Sequence, residues 1–282
     1  MDRVETMPAE LRTWMADIEI LSGADGLAKF VHVPDVATAL VFRTTAAGRS
    51  DLIAVGPRSR GTYHPGKPLP VCIRMRVRPG RSRALLGLPI NELVDRVIPL
   101  ADLWGAAGKR LADDLAVAPH DGERALTHIA AALRERADSV RRTSAAPTGS
   151  LARAGSVVRH AEAADAGRLE SAMSALSSGA PTSAAAGRLG ISERHLRNIF
   201  AREVGLSPKH FARITRLRRV LALAGNQRWA QVAGDAGFFD QAHMITDFRA
   251  LMGVSPGAFA AGRLPPTAPC AELSGGRRRP AA

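Results

Sequence analysis

Val232-Ala-Gly-Asp-Ala-Gly-Phe-Phe-Asp240, continued by Gly253-Val-Ser-Pro256 and Phe259, is the stretch that decides the fold. Trp229, Val232, Ala233 and Ala236 give a first helix one apolar face. Gly237 makes the turn, Phe238 plugs the core beneath it, and Asp240 caps a second helix by offering a side-chain oxygen to free amides. Met244, Phe248, Leu251 and Met252 form the buried stripe of that second helix. An earlier stretch has the same grammar with a turn one residue shorter: Ala185-Ala-Gly-Arg-Leu-Gly190, Ile191, Ser192, then Gly205-Leu-Ser-Pro208 and Phe211. Thr182 or Ser183 is the expected cap of its first helix, and Ser192 of its second. Leu196, Ile199, Phe200 and Val204 are its stripe. A repeated unit constrains a fold more than any single motif. Two units of helix, tight turn, helix and glycine stop read as tandem helix-turn-helix elements.

The exposed faces follow by subtraction. The second helix of the first unit presents Arg194, Arg197 and Asn198 opposite its apolar stripe. Arginine and asparagine match guanine and adenine edges with paired hydrogen bonds, so these three are the expected base readers of the first unit. The second unit presents Gln241, Ala242, Ile245 and Thr246, with Arg249 further along. That face is less polar and leaves two readings open, thymine-methyl contact or few base contacts. Pro208 to Leu223 reads as one connecting helix with proline at its first turn. Sixteen residues make a rod of roughly 24 Å, which with the width of its flanking units suits the ~34 Å between successive major-groove faces. Lys209, Arg213, Arg216, Arg218 and Arg219 ride on it. Ser192, Lys209, Arg216 and Arg249 are the expected phosphate contacts. His195 and His243 hold matching positions three residues past each cap, where packing at the edge of the turn or phosphate contact fits better than a metal.

The whole chain has 282 residues and a formal net charge of +13, so a polyanionic partner is the simplest reading. The excess is spread along the sequence, and basicity alone does not separate nucleic acid from an anionic membrane. Two cysteines, Cys72 and Cys270, support neither a disulfide framework nor zinc spacing. No apolar run approaches the ~20 residues of a membrane span, and no signal peptide is read at the N-terminus. A soluble cytoplasmic chain, with no membrane partner and no cofactor, is the expectation. Nucleophile motifs, phosphate loops and acid–base carboxylate pairs are absent from the sequence.

Residues 1–29 have no clear period. From Phe30 to about Arg78 the chain reads as β structure, clearest at Val71 to Arg78, where Val71, Ile73, Met75 and Val77 alternate with Cys72, Arg74, Arg76 and Arg78. The arginine row is expected to be a solvated sheet face. After Gly80, Ile90, Leu93, Val94 and Val97 fall at helical spacing, and Leu100 to Ala116 and Glu123 to Arg136 read as two further helices. The expected class is α+β: a β-rich domain with trailing helices (1–140), a linker (141–156), an all-α domain of two helix-turn-helix units joined by a long helix (157–262), and a disordered basic tail (263–282).

Residues 159–262 resemble the DNA-binding domain of AraC/XylS-type bacterial transcription regulators, seven helices in two helix-turn-helix units. Ala233-Gly-Asp-Ala-Gly-Phe238, Asp240-Gln-Ala-His243, Phe248, Gly253 and Ser255-Pro256 carry the resemblance in order and spacing. It implies that Arg194, Arg197 and Asn198 read bases and that Gln241, Ala242 and Thr246 occupy the equivalent face. Arginine is common in that family where Thr246 stands, so the first unit is expected to dominate specificity. Arg78-Pro-Gly80, Leu85-Leu-Gly-Leu-Pro89, Leu93, Asp95 and Pro99-Leu-Ala-Asp-Leu-Trp-Gly105 resemble the N-terminal domain of an uncharacterised subgroup of these regulators. The resemblance implies operator DNA as partner and an unidentified small-molecule effector, and allows RNA polymerase and a second copy of the chain. Two rivals stay open at this point: an effector-independent architectural DNA binder, and an enzymatic N-terminal module with secondary DNA binding.

Overall fold

A computed structural model of the chain describes residues 2–3, 11–21, 30–66, 69–145, 165, 167–225 and 227–269. Its N-terminal part is built on a six-stranded antiparallel sheet of order β1-β2-β7-β4-β5-β8. The strands are β1 (Asp2–Arg3), β2 (Met15–Leu21), β4 (Ala39–Thr44), β5 (Ser50–Val55), β7 (Cys72–Val77) and β8 (Val97–Pro99). A separate two-stranded sheet pairs β3 (Phe30–His32) with β6 (Thr62–His64), Val31 opposite Tyr63. Strands β1 and β2 lie where the sequence shows no period. Within β2, Ile18 is buried between Asp17 and Glu19, which pair with Arg76 and Arg74 of β7, and a register shift between Met15 and Asp17 breaks the alternation, leaving Met15 and Ile18 both buried.

Strand β7 alternates as expected: Ile73, Met75 and Val77 are fully buried and Arg74 and Arg76 point to the other face. That other face is not a solvated one. Asp35, 1% exposed, lies against it and takes Arg74 at 2.9 Å and Arg76 at 2.7 Å. A buried carboxylate needs such counter-ions, and it converts the arginine row from surface into a joint.

Helices α1 (Ser82–Leu86), α2 (Leu100–Trp104), α3 (Ala106–Ala116) and α4 (Gly122–Ala145) close the first core with Phe42, Leu40, Ile73 and Met75. The Leu85 carbonyl accepts from both Trp104 Nε1 and Arg136 Nε at 3.0 Å, locking α1 to α2 and α4. Three expectations change here. Ile90, Leu93, Val94 and Val97 do not share a helix: Ile90–Glu92 is a single 3₁₀ turn and Val97 begins β8. Ile90 and Leu93 are buried in any case, so apolar spacing reported burial rather than helix. Leu100 to Ala116 is two helices, broken at Gly105. Helix α4 continues to Ala145, into the segment read as a linker; the rest of that segment lies outside the described residues.

Seven described helices follow: α5 (167–177), α6 (Thr182–Arg188), α7 (Glu193–Glu203), α8 (Pro208–Leu223), α9 (Trp229–Asp235), α10 (Gln241–Met252) and α11 (Pro256–Ala260). Phe200, Phe211, Ile214, Leu217, Phe248 and Met244 fill a second core. That core also takes Tyr63 of β6, with Val31, Val33 and Val36 packed against it. The small β3–β6 sheet therefore serves the helical part of the molecule although it belongs to the N-terminal part of the sequence. The start of the expected tail joins it too: Ala268 donates its amide to the Tyr63 carbonyl at 2.8 Å, and His64 Nδ1 lies 2.8 Å from the Ala268 carbonyl. A proline-rich extended segment can satisfy its backbone on an open strand edge in this way. Residues 270–282 lie outside the described set, as do Cys270 and the arginine cluster near the terminus. Among the described residues no helix is long and apolar enough to cross a membrane.

Candidate nucleic-acid interface

Each unit is a short helix, a glycine turn and a capped second helix. In the first, α6 ends, Gly190 adopts φ +63°, and Ser192 accepts the His195 amide at 3.1 Å to start α7. In the second, Gly237 at φ +83° leads to Asp240, which accepts the His243 amide at 2.7 Å to start α10. Both glycines sit in the left-handed region that L side chains avoid, so glycine is the residue the turns require. The expected cap at Thr182 or Ser183 is not made: α6 begins at Thr182, with Pro181 before it and no side-chain cap. Asp240→Ala is expected to lower stability by about 1 kcal/mol, and Ser192→Ala by a similar or smaller amount, read by denaturant unfolding.

The apolar stripes of α7 and α10 are buried as read. Leu196, Ile199 and Phe200 are at most 1% exposed, as is Met244, and Phe248 follows at 2%. Arg194, Arg197 and Asn198 are exposed on the outer face of α7. Arg197 Nη2 reaches Glu193 at 3.0 Å, an exposed i,i+4 pair worth only a few tenths of a kcal/mol and easily given up to a stronger acceptor. On α10, Gln241, Ala242 and Thr246 are exposed at the matching positions. The Thr246 hydroxyl donates to the Ala242 carbonyl at 2.9 Å, so its hydrogen bond is spent on its own helix. Ser192, Lys209 and Arg249 are exposed.

Most cations of the connecting helix α8 turn inward. Arg213 Nε holds Asp247 at 2.8 Å. Arg216, expected at a phosphate, is half-buried, reaches the same carboxylate at 3.4 Å and lies 5.0 Å over the Phe238 ring. Phosphate contact by Arg216 would require breaking that arrangement. Arg219 donates to the Ser177 carbonyl. Arg218 reaches Asp35 at 3.4 Å and the Pro34 carbonyl at 3.4 Å, tying α8 to the N-terminal part.

Two buried aspartates organise the units, and the sequence reading missed both. Asp165 takes Arg202 at 2.8 Å, Arg168 at 3.2 Å and His195 at 3.3 Å. Burial alone would raise its carboxyl, but hydrogen bonds from Arg202, His195 and Arg168 outweigh that and hold it below the usual carboxylate range. Asp247 takes Arg213 and Arg216, with His243 Nε2 3.9 Å away. Each histidine therefore lies near a buried carboxylate, His195 one upstream of its unit and His243 one on its own helix, and His243 also packs edge-on against Phe238. An acid at the spacing of the buried stripe, three residues after Met244 and four after His243, was the available signal for Asp247.

The N-terminal part grips the C-terminal ends of both second helices. Arg83 of α1 holds Glu203 at the end of α7 at 2.7 Å. Tyr63 donates its hydroxyl to the Met252 carbonyl at 2.6 Å, and Gly61 donates its amide to the Leu251 carbonyl at 2.7 Å, both at the end of α10. His210 Nε2 sits 3.0 Å from the Ser59 carbonyl at the start of α8. The helix starts and outer faces are left open while their ends are held.

Residues 185–262 match the family described as a helix-turn-helix domain. No curated protein sequence matches the chain. Among solved structures, the C-terminal domain of AraT, a response regulator from Geobacillus stearothermophilus, is 21% identical, with 38% of this chain and 94% of that one covered and a TM-score of 0.32. ToxT from Vibrio cholerae O395 is 10% identical, covering 94% of this chain and 99% of its own, with a TM-score of 0.36. Unsaturated fatty acid bound wild-type ToxT from Vibrio cholerae strain SCE256 is 9% identical, covering 86% and 93% with a TM-score of 0.34.

Proposed function

We infer that a chain whose residues 185–262 form an AraC-type helix-turn-helix domain is a DNA-binding transcription regulator that reads a defined operator with both units. The observation that carries this reading is the pairing of two capped helices, α7 and α10, with buried inner faces and exposed outer faces, on either side of one rigid connecting helix. Arg194, Arg197 and Asn198 would read bases in one major groove, and Gln241, Ala242 and Thr246 would face the next. Ser192, Lys209 and Arg249 would fix register on the phosphates, supplying affinity and salt dependence without sequence information.

Arg194→Ala and Arg197→Ala are each expected to cost about 1–3 kcal/mol of operator binding and to relax preference at one base pair. Binding to a panel of operator variants checks this. A loss equal on every sequence would assign the residue to phosphate instead.

Control by a small molecule is the finer part of the proposal. Its support is mechanical: Arg83, Gly61 and Tyr63 connect the N-terminal part to the ends of α7 and α10, and Arg218 connects it to the rod between them. A ligand that shifts the N-terminal part would change the separation and tilt of the two reading helices. Operator affinity measured across a broad panel of small molecules tests it; unchanged affinity and oligomeric state throughout would count against it. RNA polymerase and a second copy of the chain are further partners consistent with this role.

A further inference from the structure

The second unit carries a feature its sister lacks. Its turn is longer by one residue, Phe239, which lies between the buried plug Phe238 and the cap Asp240. Phe239 is 94% exposed, far more than any other large hydrophobic residue of the described chain; next are Val117 at 71% and Val97 at 42%. Scattered exposed apolar residues are ordinary on protein surfaces. Position is what distinguishes this one. Phe239 stands immediately before the cap Asp240 at the start of α10, and Ala242 and Thr246, spaced i and i+4, share one exposed side of that helix. Ala242 and Thr246 stand where Arg194 and Asn198 stand in the first unit, two and six residues past the cap.

We propose that Phe239, with Ala242 and the Thr246 methyl, forms an apolar thymine-reading face, and that the second unit recognises the C5-methyl groups of thymine, with Gln241 as its one hydrogen-bonding base reader. This inference rests on the proposed DNA-binding role. Three observations converge on it. The Thr246 hydroxyl is bonded to the Ala242 carbonyl, which leaves its methyl as the group to offer outward. Ala242 has only a methyl to offer. Phe239 adds an exposed ring at the start of the same helix, and α10 carries no lysine or arginine before Arg249. Alanine, the threonine methyl and phenylalanine are the side chains whose apolar contact selects thymine in the major groove. The first unit, with Arg194, Arg197 and Asn198, would supply hydrogen-bonded reading, and the second would supply shape and methyl contact.

The test uses full-length protein and an operator obtained by selection from random DNA. Thymines under the second unit are replaced one at a time by uracil, which keeps every hydrogen-bonding edge and lacks only the methyl. Wild-type protein is expected to lose roughly fourfold in affinity at each contacted thymine, the worth of one buried methyl-sized group. Phe239→Ala is expected to bind the thymine operator more weakly by a similar or larger factor and to lose its response to uracil at one position. Phe239→Leu is expected to recover part of both. An exposed side chain leaves the core untouched, so unfolding is not a competing explanation, and Arg194→Ala serves as the control that loses affinity without changing the uracil response. Equal affinity of wild type and Phe239→Ala on both DNAs overturns the inference while leaving DNA binding intact. Loss of transcription with unchanged DNA affinity also overturns it, by assigning Phe239 to a protein partner. Failure of wild-type protein to select any site would remove the proposed function itself.

Discussion

Asp35→Ala is expected to destabilise the protein by about 3–5 kcal/mol, the range found when one partner of a buried ion pair is removed. Asp35 is 1% exposed and receives Arg74, Arg76 and Arg218 within 3.4 Å, plus the Ala37 amide at 3.1 Å. Burial by itself would raise the carboxyl, but Arg76, Arg218, the Ala37 amide and Arg74 together hold it below the usual carboxylate range. Removing it takes the carboxylate from Arg76 and leaves Arg74 with Glu19 at 3.5 Å and Arg218 with the Pro34 carbonyl at 3.4 Å, beside Arg58, which burial and Arg74 already pull down to about 10. The loss is structural at two levels. Arg74 and Arg76 belong to β7, whereas Arg218 belongs to α8, so the same change unfastens the sheet from the rod between the two reading helices. Denaturant unfolding measures the cost, and a loss below about 1 kcal/mol would contradict the role assigned to Asp35. Asp35→Asn, which keeps an acceptor but not the charge, is expected to fall between the two.

A second large effect is a loss of stability in mild acid that passes through His32. Burial first, then Arg58, His64, Arg74 and Arg43, hold this imidazole down at about 3. In the unfolded chain it titrates near its ordinary ~6.5. Between these values the unfolded chain binds a proton that the folded protein refuses. Stability present at neutral pH therefore falls as pH drops below about 6.5, reaching a deficit of about 3 kcal/mol at pH 4. Asp35 shifts the other way in consequence: its depressed value adds stability above the unfolded value of ~3.9, and that part is lost only below it. Measurements between pH 7.5 and 4 thus isolate the histidine. His32→Phe keeps a ring beside Phe30 and His64, and is expected to lose about 3 kcal/mol less than wild type over that interval. Parallel pH dependence of the two proteins would show that His32 is not held neutral.

Where one face of an element is buried and local, the sequence spoke clearly. The stripes of α7 and α10, the two glycine turns, the caps at Ser192 and Asp240 and the alternation of β7 all follow from periods of 3.6 and 2. What stayed illegible depends on partners distant in sequence. Arg74 and Arg76 looked solvated because Asp35 lies about forty residues away on another strand connection. Arg216 looked like a phosphate ligand because Asp247, which holds it, is not on its helix. Strand β2 was hidden because a register shift between Met15 and Asp17 interrupts its alternation and leaves too short a regular run. Ile90 and Leu93 kept helical spacing while serving a 3₁₀ turn, since burial and helicity leave the same apolar marks over so short a run. Of the outer-face residues, exposure was legible for Arg194, Arg197, Asn198, Gln241, Ala242 and Thr246, because exposure is the complement of a stripe.

Fixed contacts at the ends of α7 and α10 also bear on how binding is organised. Helices held at their C-terminal ends by Glu203–Arg83 and by the Tyr63 and Gly61 bonds arrive at DNA with their spacing already set, which lowers the ordering cost of binding with both units. The rigid rod of α8 and the Asp35–Arg218 contact act in the same sense.

The most direct measurement is selection of bound sites from random duplex DNA by the full-length protein at near-physiological salt. Two contacted patches about one helical turn apart, one defined by guanine or adenine edges and one rich in thymine, are the predicted result. Retention of DNA with no enriched sequence, and affinity set by salt alone, would contradict operator reading by two units and leave a protein that recognises only the phosphate backbone.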